Sequence, residues 1–96
     1  MAINFTDLQC KEVICLRNGQ RLGFVSDIRI EVPRGEVCAL VVPGPCRHLG
    51  LLGRREDFVI PWRCIRRIGP DIVLVDTQPE DCRVPRQKQG LPLSGD

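Results

Sequence analysis

The sequence predicts a small all-β domain, built as an antiparallel barrel or a strongly bent sheet of about five or six short strands. Three observations support this class. Apolar and polar residues alternate with a period of two in several short runs, and turn-forming residues recur about every ten positions. Almost no segment has the 3.6-residue period of a helix. The 96 residues fit one hydrophobic core and leave too little chain for two.

The first predicted strand pair is a hairpin centred on Asn18-Gly19, within EVICLRNGQRLGFVSDIRIEV. Asn-Gly is the dipeptide best suited to the positive φ angles of a type I′ turn. After the turn, apolar side chains share one phase of a period-two pattern and charged side chains share the other, which is typical of a half-buried strand. The phase breaks at residues 25–26, which indicates a bulge or bend near Gly23.

Three further strands are predicted downstream. Pro33 and Gly35 mark a turn, after which EVCALVV is apolar on both faces, as in a central strand or a tightly curved barrel. DFVIP at 57–61 and DIVLVD at 71–76 predict two more short strands. WRCIRRIG between them is either one helical turn or another short strand, ending at the Gly69-Pro70 break.

The two ends of the chain differ from this strand-rich middle. FTDLQ near the N-terminus predicts one short turn of helix capped by Thr6 or Asp7. Residues 77–96 contain three prolines and two glycines with little periodicity, so we expect a mostly irregular tail. The expected organisation is therefore a barrel domain at 1–76 followed by a tail at 77–96.

The strand phases predict which side chains form the core. Trp62 is expected to close one end of the barrel behind Pro61, and Trp62→Ala is then expected to unfold or aggregate the protein. The predicted core residues are Leu22, Phe24, Ile28, Ile30, Val41, Phe58, Ile60, Trp62, Ile72 and Leu74.

Three stretches, LGFVSDIRIE, ALVVPGP and GRREDFVIPWRCIRRIGPDIVLV, resemble the PRC-barrel family, the domain found in the photosynthetic reaction centre H subunit. The resemblance runs from Leu8 to about Asp76 and is closest to the short single-barrel sporulation proteins of Firmicutes. It implies a six-stranded barrel that acts as a protein-docking module or adaptor, with no catalytic residues. A related barrel in a ribosome-maturation factor contacts a ribosomal protein, which keeps an RNA- or ribosome-associated role open.

Charge and composition exclude several partners. The net charge is only +2, which provides no bulk attraction to nucleic acid, and no apolar run approaches the ~20 residues of a membrane-spanning helix. Arginines cluster between residues 47 and 67, but few aromatic side chains accompany them, so sequence-specific RNA reading is disfavoured. We expect no membrane association and no cofactor.

The six cysteines are expected to be thiols. The N-terminus lacks the pattern of a secretory signal, which predicts a cytoplasmic protein in a reducing compartment. The nearest approximations to a pair of metal ligands are Cys10 with Cys15 and Cys46 with His48, but neither pair repeats downstream as a zinc site requires. A cysteine-based metal or redox-sensing protein is the third functional hypothesis.

Enzymatic activity is not predicted. His48 is the only histidine and lies in a glycine-flanked segment, so no third group is expected to orient it as a base. The two adjacent acidic pairs, at 56–57 and 80–81, would point to opposite faces of a strand.

The segment between the strands ending near Val42 and starting near Asp57 is the predicted docking surface, in a homodimer or towards an acidic-rimmed protein. Its leucines either fold back on the core or form an apolar centre with a basic rim. The predicted interface residues are Arg47, Leu49, Leu51, Leu52, Arg54 and Arg55. The leading functional hypothesis is thus a non-enzymatic adaptor barrel associated with sporulation.

Overall fold

The computed structural model describes residues 2–44 and 56–85. In chain order the elements are α1 (Phe5–Gln9), β1 (Glu12–Cys15), β2 (Arg21–Phe24), β3 (Asp27–Glu31), β4 (Glu36–Pro43), β5 (Glu56–Pro61), a 3₁₀ turn (Trp62–Cys64), β6 (Ile65–Ile68), β7 (Ile72–Val75), α2 (Pro79–Cys82) and β8 (Arg83–Pro85). The predicted β-rich class is confirmed.

The strands form two four-stranded sheets, with orders β2-β1-β7-β6 and β3-β4-β5-β8. β1 pairs with β7 in parallel, and the other described pairs are antiparallel. Within residues 2–44 and 56–85 there are thus eight strands in two sheets, and no closed six-stranded antiparallel barrel is detected there. The structure differs from the expected barrel because the chain passes from one sheet to the other at Val25-Ser26 and again at the 3₁₀ turn. These two bends divide long strands into shorter ones.

The bend after β2 confirms the expected break near Gly23. Gly23 has φ +121°, and the register between β1 and β2 shifts between Val13 and Ile14. Such a φ lies in the region that side chains with a Cβ rarely adopt. Glycine at this position therefore allows β2 to turn towards the second sheet.

The hairpin joining β1 and β2 is present, but its turn is not type I′. Gly19 has φ +72°, whereas no other residue type in the described part of the chain has a positive φ, so Asn18 does not adopt the expected conformation. The amide of Gly19 donates to the Cys15 carbonyl at 2.8 Å, and the Asn18 side-chain oxygen accepts from the Gln20 amide at 2.9 Å. Asparagine here stabilises a longer loop through its side chain instead.

Helix α1 is also present, with a different cap from the one predicted. Asn4 is the N-cap residue, and its amide donates to an Asp7 carboxylate oxygen at 2.9 Å. Asp7 therefore acts at the third helical position rather than as the cap. The helix buries Leu8 against the core.

The core lies between the sheets. Of the predicted core, Leu22, Phe58 and Ile60 are buried, and Ile28 packs against them while partly exposed. Val41, Ile72 and Leu74 are only half-buried, because their immediate neighbours occupy the inward phase of the same strands. The largest fully buried side chains are Leu40, Ile60, Val13, Val42, Val73, Val75, Pro79 and Cys15.

Three residues that were predicted to lie in the core are exposed, so their prediction is wrong. Phe24 and Ile30 are each 52% exposed, and Trp62 is 41% exposed. Val25, at the bend, takes the inward position expected for Phe24 and is 3% exposed. The register between β3 and β4 shifts between Arg29 and Ile30, where β4 advances by two residues, from Ala39 to Val37, for one residue of β3. The bulge is therefore in β4, and alternation in β3 alone does not decide which of its side chains are covered.

Residues 77–85 are ordered, contrary to the expected irregular tail from residue 77. They form α2 and β8, and β8 pairs with β5. The Cys15 thiol donates to the Thr77 carbonyl at 3.1 Å, and the Thr77 hydroxyl lies 3.3 Å from the Cys82 sulfur. The first contact attaches the segment to β1, and the second lies within the segment. Residues 86–96 of the predicted tail lie outside the described residues.

Asp76, which follows β7, links three parts of the first sheet. Arg17 Nε donates to Asp76 Oδ1 at 2.8 Å, and an Arg66 guanidinium nitrogen lies 3.5 Å from Oδ2. The hydrogen bond from Arg17 lowers the pKa of Asp76, with smaller contributions from the charges of both arginines. The same hydrogen bond raises the pKa of Arg17. The ion pairs connect the β1–β2 loop to the other edge of the sheet.

The substitution Asp76→Asn is expected to make the free energy of unfolding depend less on pH in the acid range. A carboxylate with a lowered pKa in the fold stabilises above its unfolded pKa, near 4, and that contribution disappears as the pH falls through the folded pKa. Urea midpoints of the wild type and Asp76→Asn should therefore differ more at pH 7 than at pH 3. Equal separation at both pH values would contradict the proposed role of the ion pairs.

Candidate docking groove

An apolar groove lies on the surface of the described residues. It encloses about 190 Å³ and lies where the N-terminal segment, the β3–β4 pair and the β5–β6 corner meet. Its lining residues are Ile3, Asn4, Phe5, Leu8, Ile28, Val37, Trp62 and Ile68. We call this surface the apolar groove.

Local features of the chain explain why several of the lining side chains reach the groove. Leu8 points into the core from α1, which holds the N-terminal segment beside the sheets. Ile28 and Val37 come from paired strands, since β3 and β4 are antiparallel neighbours. Ile60 is buried in β5, and continued alternation would also bury Trp62, but the 3₁₀ turn begins at Trp62 and ends that alternation. The tryptophan therefore lines the groove instead of filling the core.

The groove exposes large apolar side chains to solvent. Ile3 is 44% exposed, Trp62 41% and Ile68 36%. Single exposed apolar residues are common on monomers, whereas contiguous ones mark surfaces that another molecule covers. The volume is smaller than the ~300–1,000 Å³ of small-molecule sites, so the groove is suited to receive a side chain of a partner.

The chemistry of the lining is restricted to apolar contact and one amide. Asn4 is the only lining residue with a polar side chain, and no lining side chain titrates. General acid–base catalysis needs a titratable group positioned at the reacting atoms. The groove is therefore built for binding rather than for proton transfer.

Three arginines are close in sequence to the groove residues of the β5–β6 side. Arg63, Arg66 and Arg67 lie in the 3₁₀ turn and β6, next to the lining residues Trp62 and Ile68. Arg66 pairs with Asp76 and donates to the Arg63 carbonyl at 3.1 Å. Among the described ion pairs none involves Arg63 or Arg67, so these two guanidinium groups are available to an external acid.

The interface residues predicted from the sequence lie outside the described residues. They fall in 45–55, as do Cys46 and His48, and the docking role of that segment stays a prediction. Sequence reasoning missed the groove because its lining comes from five separate segments. The only local signal was Pro61-Trp62 at the end of a strand, which can precede either a buried or an exposed tryptophan.

The described cysteines are free thiols in different environments. Cys10 and Cys38 are exposed, Cys64 is half-buried, and Cys15 and Cys82 are buried. In residues 2–44 and 56–85, no group of three or more His, Cys, Asp or Glu side chains is arranged to hold a metal ion. No helix in the same residues has the length and apolar character needed to cross a bilayer.

Comparison with known proteins identifies related sequences. The family model for the PRC-barrel domain matches residues 1–81. "Probable sporulation protein YlmC" of Bacillus subtilis (strain 168) is 41% identical over 73 residues, covering 76% of this chain and 90% of the relative. "Uncharacterized protein YmxH" of the same organism is 31% identical over 88 residues, covering 90% of this chain and 100% of the relative. These matches confirm the resemblance seen in the sequence.

Proposed function

The chain belongs to the PRC-barrel domain family, and from that premise we propose that it is a non-enzymatic docking module whose apolar groove binds another protein. One relative carries the name of a probable sporulation protein. We extend that association to this chain and propose that the module acts during sporulation, in the cytoplasm. The proposal moves the docking surface from residues 47–55, as predicted from the sequence, to the groove.

The exposed apolar lining of the groove is the observation that carries this proposal. Trp62, Ile3 and Ile68 are each more than a third exposed although they border a common hollow. Removing apolar surface from water stabilises a complex by about 25 cal/mol per Å² before the costs of association. A bound protein supplies that stabilisation at the groove, and Trp62 offers it the aromatic contact that interface hot spots favour.

A second candidate function is binding of single-stranded RNA. The specific observation that favours it is the exposure of Trp62, an aromatic ring in the same short stretch of sequence as Arg63, Arg66 and Arg67. Base stacking on an aromatic ring with adjacent arginines is a common mode of RNA binding. Phe58 is buried, however, so it does not extend the stacking surface. Protein docking uses the whole groove and remains the leading proposal.

Site-specific photocross-linking tests the proposal and separates its alternatives. A photoreactive amino acid replaces Ile68 in the groove or, as a matched control, Leu16, which is 48% exposed and lies outside the groove lining. Both variants are irradiated in intact cells of a spore-forming bacterium. We expect a discrete protein adduct from position 68 and much less from position 16, because only the groove is covered by a partner.

The nature of the adduct decides between the candidates. A nuclease-resistant protein adduct at position 68 supports docking, whereas a ribonuclease-sensitive adduct supports RNA binding. Equal labelling at positions 68 and 16, or no adduct at position 68, would reject the groove as the docking site. Circular dichroism of each purified variant confirms that the fold is retained.

A further inference from the structure

Strand β3 forms one edge of the second sheet and contributes to the apolar groove. Within residues 2–44 and 56–85, it pairs with β4 alone. The Ile28 amide donates to the neighbouring Asp27 carboxylate at 2.9 Å, so this amide points away from β4. Backbone groups alternate in direction along a strand, so the amide and carbonyl of Ile30 point to the same free side. This edge therefore presents backbone groups that another strand can bond.

The isoleucines of β3 face the groove. Ile28 is a lining residue and lies opposite the buried Leu40 in the β3–β4 register. Ile30 lies opposite the lining residue Val37, so its side chain is on the same face, where it is 52% exposed. Residues paired across two strands place their side chains on the same face of a sheet. A strand added beside β3 would therefore extend alternate side chains over the groove.

The other face of β3 carries three exposed charges of alternating sign, from Asp27, Arg29 and Glu31. Among the ion pairs of the described residues, none involves any of the three. Their partners across β4 are two apolar residues and Glu36, so β4 supplies no opposite charge. Opposite charges paired across strands are stabilising and like charges are destabilising. The free side of β3 is thus the side from which complementary charges can come.

We propose that the occupant of the apolar groove is an extended segment of another protein, which adds to the free edge of β3 as a further strand. This inference rests on the proposed function and specifies the conformation and chemistry of the partner. The segment carries apolar residues opposite Ile28 and Ile30, an acid opposite Arg29, and bases opposite Asp27 and Glu31. Backbone hydrogen bonds then provide affinity, and alternate side chains provide specificity. A helix in the groove would leave the backbone edge and the three charges without partners.

Two substitutions at Ile30 separate the backbone contact from the side-chain contact. Ile30→Pro and Ile30→Ala both remove the apolar side chain, but only proline also removes the outward N–H. Proline is tolerated on an edge strand where the N–H faces solvent, so β3 should stay paired with β4. The photoreactive amino acid is placed at position 68 in each variant. We expect about tenfold less adduct from Ile30→Pro than from Ile30→Ala, because the added strand loses a hydrogen bond and meets the proline ring.

A second measurement does not depend on the proline variant. The photoreactive amino acid replaces Arg29, whose side chain lies on the face of β3 away from the groove, or Arg21 as a matched control on the edge strand β2. Both positions are exposed. We expect position 29 to label the same protein as position 68, since a strand beside β3 contacts both faces, and position 21 to label much less. Mass spectrometry of the adducts should locate both cross-links in one segment with the expected alternation.

The outcomes separate this inference from the proposed function. A protein adduct at position 68 that is equally strong in Ile30→Pro and Ile30→Ala would overturn strand addition and retain the docking groove. An adduct at position 68 without one at position 29, or equal labelling at positions 29 and 21, would do the same. If Ile30→Pro loses the circular dichroism of the wild type, positions 29 and 21 decide. Absence of any adduct at position 68 in the otherwise unchanged chain would reject both proposals.

Discussion

A chain that ends at Asp76 is expected to lose on the order of 3 kcal/mol of unfolding free energy or more, relative to a chain that ends at Pro85. The missing residues include the buried side chains of Thr77, Pro79 and Cys82. The Cys15 thiol would also lose its hydrogen-bond acceptor, the Thr77 carbonyl. Removal of this segment therefore opens the core beside β1.

The loss also affects β5, because β8 would no longer cover its edge. β8 pairs with β5 from Glu56 to Phe58, and the Arg83 guanidinium lies 5.9 Å from the centre of the Phe58 ring. An uncovered β5 edge exposes unpaired backbone groups that favour aggregation. Urea denaturation of the two chains measures the difference. Equal midpoints would show that residues 77–85 do not contribute to the stability of the domain.

Ile60→Ala is expected to cost about 2–5 kcal/mol, the range for removing a large aliphatic side chain from a packed core. Ile60 is 0% exposed and lies opposite Leu40 in the β4–β5 register. Both side chains belong to the cluster that fills the space between the two sheets. A cavity at this position would be lined by apolar side chains, so water would not replace the lost contacts.

Trp62→Ala is the matched comparison, two residues further along the chain. The ring is 41% exposed and lines the groove, so its truncation should cost less than Ile60→Ala despite the larger side chain. This corrects the sequence-based expectation that Trp62→Ala unfolds the protein. Thermal unfolding of both variants provides the measurement. A loss at Trp62 equal to or greater than that at Ile60 would contradict the exposure of the ring.

Local patterns predicted the parts of the fold that depend on neighbouring residues. The Asn18-Gly19 hairpin, the bend near Gly23 and the strands around Ile60 and Val73 are all present. Alternation within a short strand requires only that one face be buried, so it can be read from the sequence. The PRC-barrel resemblance followed from the same segments.

Features that depend on how strands meet were not predicted. The phase of β7 places Val73 and Val75 inward, but Ile72 and Leu74 are equally apolar, so hydrophobicity alone does not choose between the two faces. The segment after Asp76 has weak local preferences, and its order arises from contacts with residues distant in sequence, including Cys15. The apolar groove escaped prediction for the same reason, because it exists only once separate segments are brought together.

We infer that this PRC-barrel protein works when another protein covers Trp62, Ile68 and the neighbouring residues of the apolar groove. Photocross-linking at position 68 compared with position 16 tests this claim most directly. We expect a discrete protein adduct that is strong at position 68 and weak at position 16. Labelling that is equal at the two positions, or absent from position 68, would contradict it.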